Sequence, residues 1–322
     1  MRPEPTNLTS RRSFVMRAGA ACTLSLCAAP AVLLGSGCNA LSAQVVDPAI
    51  GWPRLVMPPR PVAPRGLALV LGSGGPRGFA HVGVLKALAQ LDITPDLVVG
   101  SSVGAVLGAM VAAHMPAAQI EALALKLTMT DVLDFSLSAL LRGTTFTAYS
   151  VSRLVRDLTQ QDDLARLPLP YACVASRLGG ARPVPWLMNA GYLPLAIQAS
   201  AAVVGTAPPV LMDGVPHTDG DLAAPLPVRA ARQLGAKRVI AVDISAYEED
   251  TPAWVLRDAP HWEDDARRRR VQTAEELSHA DALLHIRSPY FTGFSLAYRR
   301  DMIERGMQQT LARADALRAL AA

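Results

Sequence analysis

Three short stretches of this chain carry residue types whose spacing could do chemistry. The first is GSGGPRG, residues 72–78, which leads straight into an apolar-periodic helix. A glycine turn at a helix N-terminus presents free backbone N–H groups, and these attract negative charge, whether a phosphate or a developing oxyanion. The dinucleotide fingerprint needs glycine at its first, third and sixth places, and counted from Gly72 the sixth is Arg77. No Gly-Lys-Ser/Thr follows, so a P-loop is absent, and the loop alone leaves both chemistries open. The second stretch is VVGSSVGA, with Ser102 between Gly100 and Gly104, where a strand pattern gives way to a helix pattern. That is the setting of a nucleophile elbow, although in isolation the serine also fits a helix N-cap. The third is HTDGD, residues 217–221, which places the carboxylate of Asp219 on a tight turn before a helix.

A serine nucleophile needs a base. Of the six histidines, His81 falls in the first helix, His114 ends the second, and His261 and His279 lie in an irregular region. His217 and His285 remain conceivable partners, although nothing local positions either. H-E-x-x-H and C-x-x-C are both absent, so no metal centre is expected.

The elements that must position these residues follow from the hydrophobic pattern. GLALVLG (66–72) and DLVVGSS (96–102) read as buried strands, with helices at 78–91 and 103–114. Such alternation implies an α/β fold with a mostly parallel central sheet flanked by helices, as a single domain over residues 65–322. The glycine loop and the elbow would then lie side by side at the C-terminal edge of adjacent strands, where open α/β sheets bind ligands. Helices at 117–127 and 150–159, a strand at 171–176, a buried helix at 193–205 and a hairpin-like segment at 208–221 come next. A helix over 228–236 and a strand over 238–245 form a further pair, and a helix from about Arg299 to Leu320 closes the domain. Residues 246–279 are polar and poorly periodic, as in an irregular insertion, and the RRRR run at 267–270 reads as a solvated face neutralised by the preceding EDD.

With 322 residues, 51% hydrophobic and 18% charged, the chain can bury a large core. Four arginines against Glu4 place +3 of the net charge of +4 within residues 1–37, which leaves little basis for nucleic-acid binding. That segment resembles a twin-arginine export signal: Arg11 and Arg12 in SRRSFVM precede a nearly uncharged run from Ala18 to Leu34. LLGSGC then resembles a lipoprotein processing site, with Cys38 as the lipidated residue. Asn39 after it resembles the outer-membrane pattern, so an exported, membrane-anchored lipoprotein facing the periplasm is expected. Residues 38–64, rich in proline, read as a tether. Cys22 and Cys27 would leave with the signal, so Cys173, a buried strand residue, would have no disulfide partner.

Together the segments LVLGSGGPRGFAHVGVLKAL, GSSVGA, AIQASAAVVGTAPPV, DGDLAAPLPV and GAKRVIAVDI resemble the patatin-like phospholipase family, from about Gly66 to Asp243. The resemblance continues more weakly through RRDMIERGMQQT near the C-terminus. It implies the patatin-like three-layer fold and a lipid acyl hydrolase that works without a cofactor through a Ser-Asp dyad. Carried over residue by residue, Ser102 is the nucleophile, Asp219 the base, and Gly74, Gly75, Arg77 and Gly78 the oxyanion loop. Pro76 has no N–H, so its neighbours, Gly74 and Gly75 first, must supply the donors. An ordinary aspartate is a poor base for an alcohol, and burial would have to raise its pKa.

Three positions depart from the family pattern. Ser73 stands for a glycine, Val204 for a proline, and Asp221 for the small residue after Asp-Gly. Asp221 either raises the pKa of Asp219 by like-charge repulsion or faces solvent. The implied substrate is a membrane phospholipid, lysophospholipid or other acyl ester. A lipid-binding lipoprotein of this fold without turnover is the alternative. PAWVL (252–256) and PYFTGF (289–294) are expected to border the cleft with Trp254 and Phe291.

Overall fold

The computed structural model describes residues 46–322 apart from 64–65, 133, 136–143, 145, 259 and 289–292. The expected signal at 1–37 with Arg11 and Arg12, the lipidation site Cys38, and Phe291 lie outside the described residues.

The apolar runs form strands. In chain order they are β1 (Leu67–Leu71), β2 (Leu97–Ser101), β3 (Asp134–Phe135), β4 (Phe146–Thr147), β5 (Tyr171–Arg177), β6 (Val184–Met188), β7 (Val210–Met212), β8 (Val215–Thr218), β9 (Arg238–Asp243) and β10 (Ala282–His285). The main sheet runs β10-β9-β1-β2-β5-β8-β7, and β6 also pairs with β5. The pairs β10/β9, β9/β1, β1/β2 and β2/β5 are parallel; β5/β6, β5/β8 and β7/β8 are antiparallel. β3 and β4 form a separate two-residue ladder.

The helices are α1 (Phe79–Gln90), α2 (Val103–Ala112), α3 (Ala117–Lys126), α4 (Met129–Val132), α5 (Tyr149–Thr159), α6 (Leu193–Ser200), α7 (Val228–Gln233), α8 (Ala253–Asp258), α9 (Pro260–Leu277), α10 (Leu296–Leu311) and α11 (Ala314–Ala321). Because successive strand residues point to opposite faces, β1 divides its side chains between two cores. Leu67, Leu69 and Leu71 pack with residues of α1, α2, α3, α6 and α10 on one face. Ala68 and Val70 pack with Val228 and Ala231 of α7 on the other. The result is the expected three-layer arrangement, a mostly parallel sheet between helices.

Three expectations require correction. Residues 246–279 are not irregular: a short 3-10 turn, α8 and the 18-residue α9 fill most of the segment. The helix has no long apolar stripe to advertise it, and rests instead on good helix formers and on pairs such as Glu263 with Arg267 at i,i+4. The C-terminal helix is two, α10 and α11, interrupted at 312–313.

The proline-rich stretch is also more than a tether over residues 46–62. Arg54 bridges to Ala190, the Val56 N–H donates to Asn189 at 2.7 Å, and Arg60 donates to the carbonyls of Leu167 and Pro168. Leu55 and Val62 pack against the α7 face of the sheet. Deleting residues 46–62 is therefore expected to lower the Tm by several degrees in a thermal melt, whereas a free tether would leave it unchanged.

Candidate active site

Ser102 stands where β2 stops and α2 begins. Its backbone has φ +55° and ψ −124°, a conformation that costs a non-glycine residue about 1–3 kcal/mol and persists only where the surroundings enforce it. The surroundings are the two flanking glycines. A side chain at Gly100 would run into the backbone of Gly104 and Ala105, and one at Gly104 into the carbonyls of Leu71 and Gly72. The Ser102 side chain makes no capping bond to α2, so the N-cap reading fails. Its Oγ donates to Asp219 Oδ2 at 2.8 Å.

Asp219 follows β8 and is itself held from several sides. Its N–H donates to the carbonyl of Ala202, its carbonyl accepts from Ser176 Oγ at 2.7 Å, and its Oδ1 accepts from the Asp221 N–H at 2.8 Å. Gly220 is required next, because a side chain there would strike Ser101 Oγ and the Val174 carbonyl on β5. Asp219 is 3% exposed. Burial, reinforced by the neighbouring Asp221 charge, pushes its carboxyl up to about 7, against the opposing pull of the Asp221 N–H, the Ser102 hydroxyl and Arg269.

Asp221 therefore acts on Asp219, and it does not simply face solvent. Arg268 and Arg269 of α9 pair with its carboxylate at 2.9 Å each, and Ser73 Oγ donates to it. These partners, chiefly Arg269, hold its carboxyl below the usual range despite its burial. The RRRR run is thus not a purely solvated face: Arg268 and Arg269 turn inward, Arg270 lies over the Tyr247 ring, and Arg267 pairs with Glu263.

The glycine loop is anchored by Gly72 to the Val242 carbonyl and by Ser73 to the Pro225 carbonyl. His81 Nε2 lies 2.8 Å from the Gly72 carbonyl, and burial lowers its pKa to about 4, so the ring is neutral and donates this bond. The Arg77 N–H is occupied by the Gly74 carbonyl at 3.2 Å, which removes it from the expected oxyanion donors. Gly74 lies outside the 3-10 turn Gly75–Gly78, and Gly75 opens that turn without an intrahelical acceptor for its own N–H. Gly75, Pro76 and Gly78 line the same cavity as Ser102.

Neither candidate histidine reaches the serine. His217 Nδ1 meets the Val215 carbonyl, with its ring against Trp186, and His285 Nδ1 pairs with Asp243 under the Tyr247 ring.

Ser102 opens into a cavity of about 450 Å³ walled by α1, α2, α3 and α5. Val106, Met110, Ile120, Leu123 and Leu154 are among its lining, and Ser102 is the sole polar side chain among the described residues that form it. Gly293 and Phe294 border it as expected of their segment, whereas Trp254 does not and sits half-exposed on α8. A smaller cavity of about 230 Å³ lies by the starts of β2 and β5, at the opposite edge of the sheet.

The family model described as Patatin-like phospholipase matches residues 69–232, half of the chain, including the glycine loop, the elbow and the aspartate turn. The chain belongs to the patatin-like phospholipase family. It is 35% identical over 188 residues to patatin-like phospholipase domain-containing protein 6 of Homo sapiens, covering 57% of this chain and 14% of that protein. It is 36% identical over 186 residues to an NTE family protein of Mycobacterium tuberculosis, covering 56% of this chain and 50% of that protein. The chain thus spans from a seventh to a half of the length of these relatives. VipD from Legionella pneumophila shares the fold, with a TM-score of 0.50 at 13% identity over 85% of this chain and 71% of that one.

Within this patatin-like site, four positioning side chains are not evident from the sequence. Ser200 Oγ accepts the Ser102 N–H at 3.1 Å and donates to the Val174 carbonyl, and Ser176 supports Asp219. Arg268 and Arg269 are the others. Ser200 lies in AIQASAAVVG, already singled out as a buried helix, and a serine in so apolar a stretch was its one signal.

Asp219 binds its proton more tightly in the folded chain, at about 7, than the ordinary 3.8 of an unfolded aspartate. The folded state holds the extra proton between those values, so stability falls as pH rises through that window. Asp219→Asn removes this penalty and keeps the shape. Its Tm is expected to exceed that of the parent by a margin that grows to a few degrees as pH rises from about 4 to about 7. A margin independent of pH in thermal melts would contradict the raised pKa.

Proposed function

We propose that the chain is a serine acyl hydrolase that cleaves lipid carboxylic esters through Ser102 and Asp219. The observation that carries this reading is the placing of one reactive hydroxyl, bonded to a buried carboxylate, at the mouth of a cavity whose other described lining side chains are apolar. An acyl chain fits that lining, since such a cavity solvates methylenes and offers nothing to a polar group. Membership of the patatin-like phospholipase family and the likeness to patatin-like phospholipase domain-containing protein 6 support the same substrate class.

In this reading Ser102 Oγ attacks the ester carbonyl as its proton passes to Asp219 Oδ2. The Gly74 and Gly75 N–H groups stabilise the oxyanion. The tetrahedral species collapses to an acyl-enzyme when the alcohol leaves with the proton from Asp219. Water then gives a proton to Asp219 as it attacks the acyl carbonyl, and the second tetrahedral species collapses to the fatty acid as Asp219 returns that proton to Ser102 Oγ. A carboxyl with its pKa near 7 suits both proton transfers at neutral pH.

Ser102→Ala and Asp219→Asn are each expected to lower kcat/KM on a long-chain ester at least about 10³-fold, and the double variant to be scarcely worse than either. His217→Ala and His285→Ala should stay within about threefold of the parent. A lipid-binding protein without turnover would bind the ester and release no fatty acid. Retained activity in Asp219→Asn alongside its loss in a histidine variant would overturn the dyad.

Export and anchoring through Cys38 belong to the same proposal, since several acyl chains on a processed cysteine would hold the enzyme at its substrate surface. Cys38→Ala is expected to abolish processing and move the protein out of the membrane fraction. Unchanged fractionation would contradict it.

A further inference from the structure

Two of the positions at which this chain departs from the family pattern, Ser73 and Asp221, are 148 residues apart and touch each other. Ser73 belongs to the glycine loop and Asp221 to the turn that carries Asp219. Their contact joins the two segments on either side of the reaction centre. A third element grips the contact. From α9, the Arg269 Nε donates to both Asp221 oxygens, at 2.9 and 3.0 Å. Arg268 donates to Asp221 Oδ2 at 2.9 Å and to the Asp221 main-chain carbonyl at 2.6 Å. Gln272, one turn on, donates to the Leu222 carbonyl at 3.1 Å. Helix α9 lies beyond the 69–232 stretch that matches the family.

These contacts have a common logic. A second carboxylate two residues from the base would destabilise the ionised base if left alone, and would be costly to bury unpaired. Two guanidiniums on one helix offset its charge, and the same groups fasten the turn. Asp221, Arg269 and Arg268 are each only about a fifth to a quarter exposed, so the pairing is not a screened surface contact.

We infer that Ser73, Asp221, Arg268 and Arg269 form a positioning unit, in which α9 holds the Asp219 turn and the glycine loop in register while the arginines offset the charge that Asp221 brings beside the base. The inference rests on the reading of Ser102 and Asp219 as nucleophile and base. The groups that face Asp219 are few. They are Ser102, the Asp221 N–H and carboxylate, and Arg269, with Asp265 behind the arginine pair. His217, two residues before Asp219, points its Nδ1 at the Val215 carbonyl.

The opposed charges make a test that a purely structural role would not satisfy. In the full chain, the acid limb of the kcat/KM profile on a soluble ester reports ionisation of the base. Asp221→Asn leaves Arg269 uncompensated beside Asp219, so the limb is expected to move to lower pH by at least about half a unit. Arg269→Met leaves Asp221 less compensated, so the limb should move to higher pH by a similar amount. The double variant should fall between them. Arg269→Lys, which keeps the charge, should hold the limb near that of the parent, and Arg269→Gln tests the upward move if the methionine variant does not fold. In a double-mutant cycle, Ser73→Gly and Asp221→Gly together should cost less than the product of their separate fold-losses, since each removes the same contact.

Limbs that do not move, or that move in one direction in both single variants while turnover still depends on Ser102, would overturn the positioning unit and leave the hydrolase standing. A parent chain with no Ser102-dependent turnover would overturn the reading beneath it, and this inference with it.

Discussion

The hydrogen bond from Ser102 to Asp219 is the contact on which the rest of the site depends, and it joins residues 117 positions apart. No local turn can bring them together. They meet because β5 lies between β2, which ends one residue before Ser102, and β8, which ends one residue before Asp219. β5 serves both sides: its Ser176 supports the Asp219 carbonyl, and its Val174 carbonyl orients Ser200, which in turn receives the Ser102 N–H. The end of α6 closes the ring, since the Ala202 carbonyl accepts from both Asp219 and Thr218. Strain at Ser102 is thus sustained by contacts from several elements, as its backbone conformation requires.

Charge imposes the second constraint. A buried carboxylate binds its proton tightly even where a hydroxyl donates to it, and a neighbouring carboxylate tightens that hold. Asp219 therefore sits close to the pH at which it can both take and return a proton. Arg269 on α9 tempers the shift by its charge, while its Nε donates to Asp221. His81 shows the opposite effect of burial: its neutral ring gives a fixed donor to the glycine loop.

What could be read from the sequence follows from the same physics. The glycine loop, the elbow and the Asp-Gly turn each need a backbone shape that few residues allow, so the requirement is written locally, in Gly100, Gly104 and Gly220. Buried parallel strands are likewise announced by unbroken apolar runs such as LALVL. The partners of Asp221 left no such mark. Arg268 and Arg269 look like any charged helix surface until tertiary structure turns two of four arginines inward, and the helix that carries them has no apolar stripe by which to recognise it. The segment from 46 to 62 was obscured for a similar reason, because its hold on the domain comes from backbone bonds and isolated side chains rather than from a periodic pattern.

In the proposed mechanism a buried aspartate, ionising near neutrality, makes Ser102 nucleophilic. The rate at which a fluorophosphonate modifies the protein, measured across pH with the adduct located by mass spectrometry, tests it most directly. The expected adduct lies on Ser102 and forms faster as pH rises, with a midpoint near the Asp219 value of about 7. An adduct on another residue, or a rate on Ser102 that is flat across that range, would contradict it.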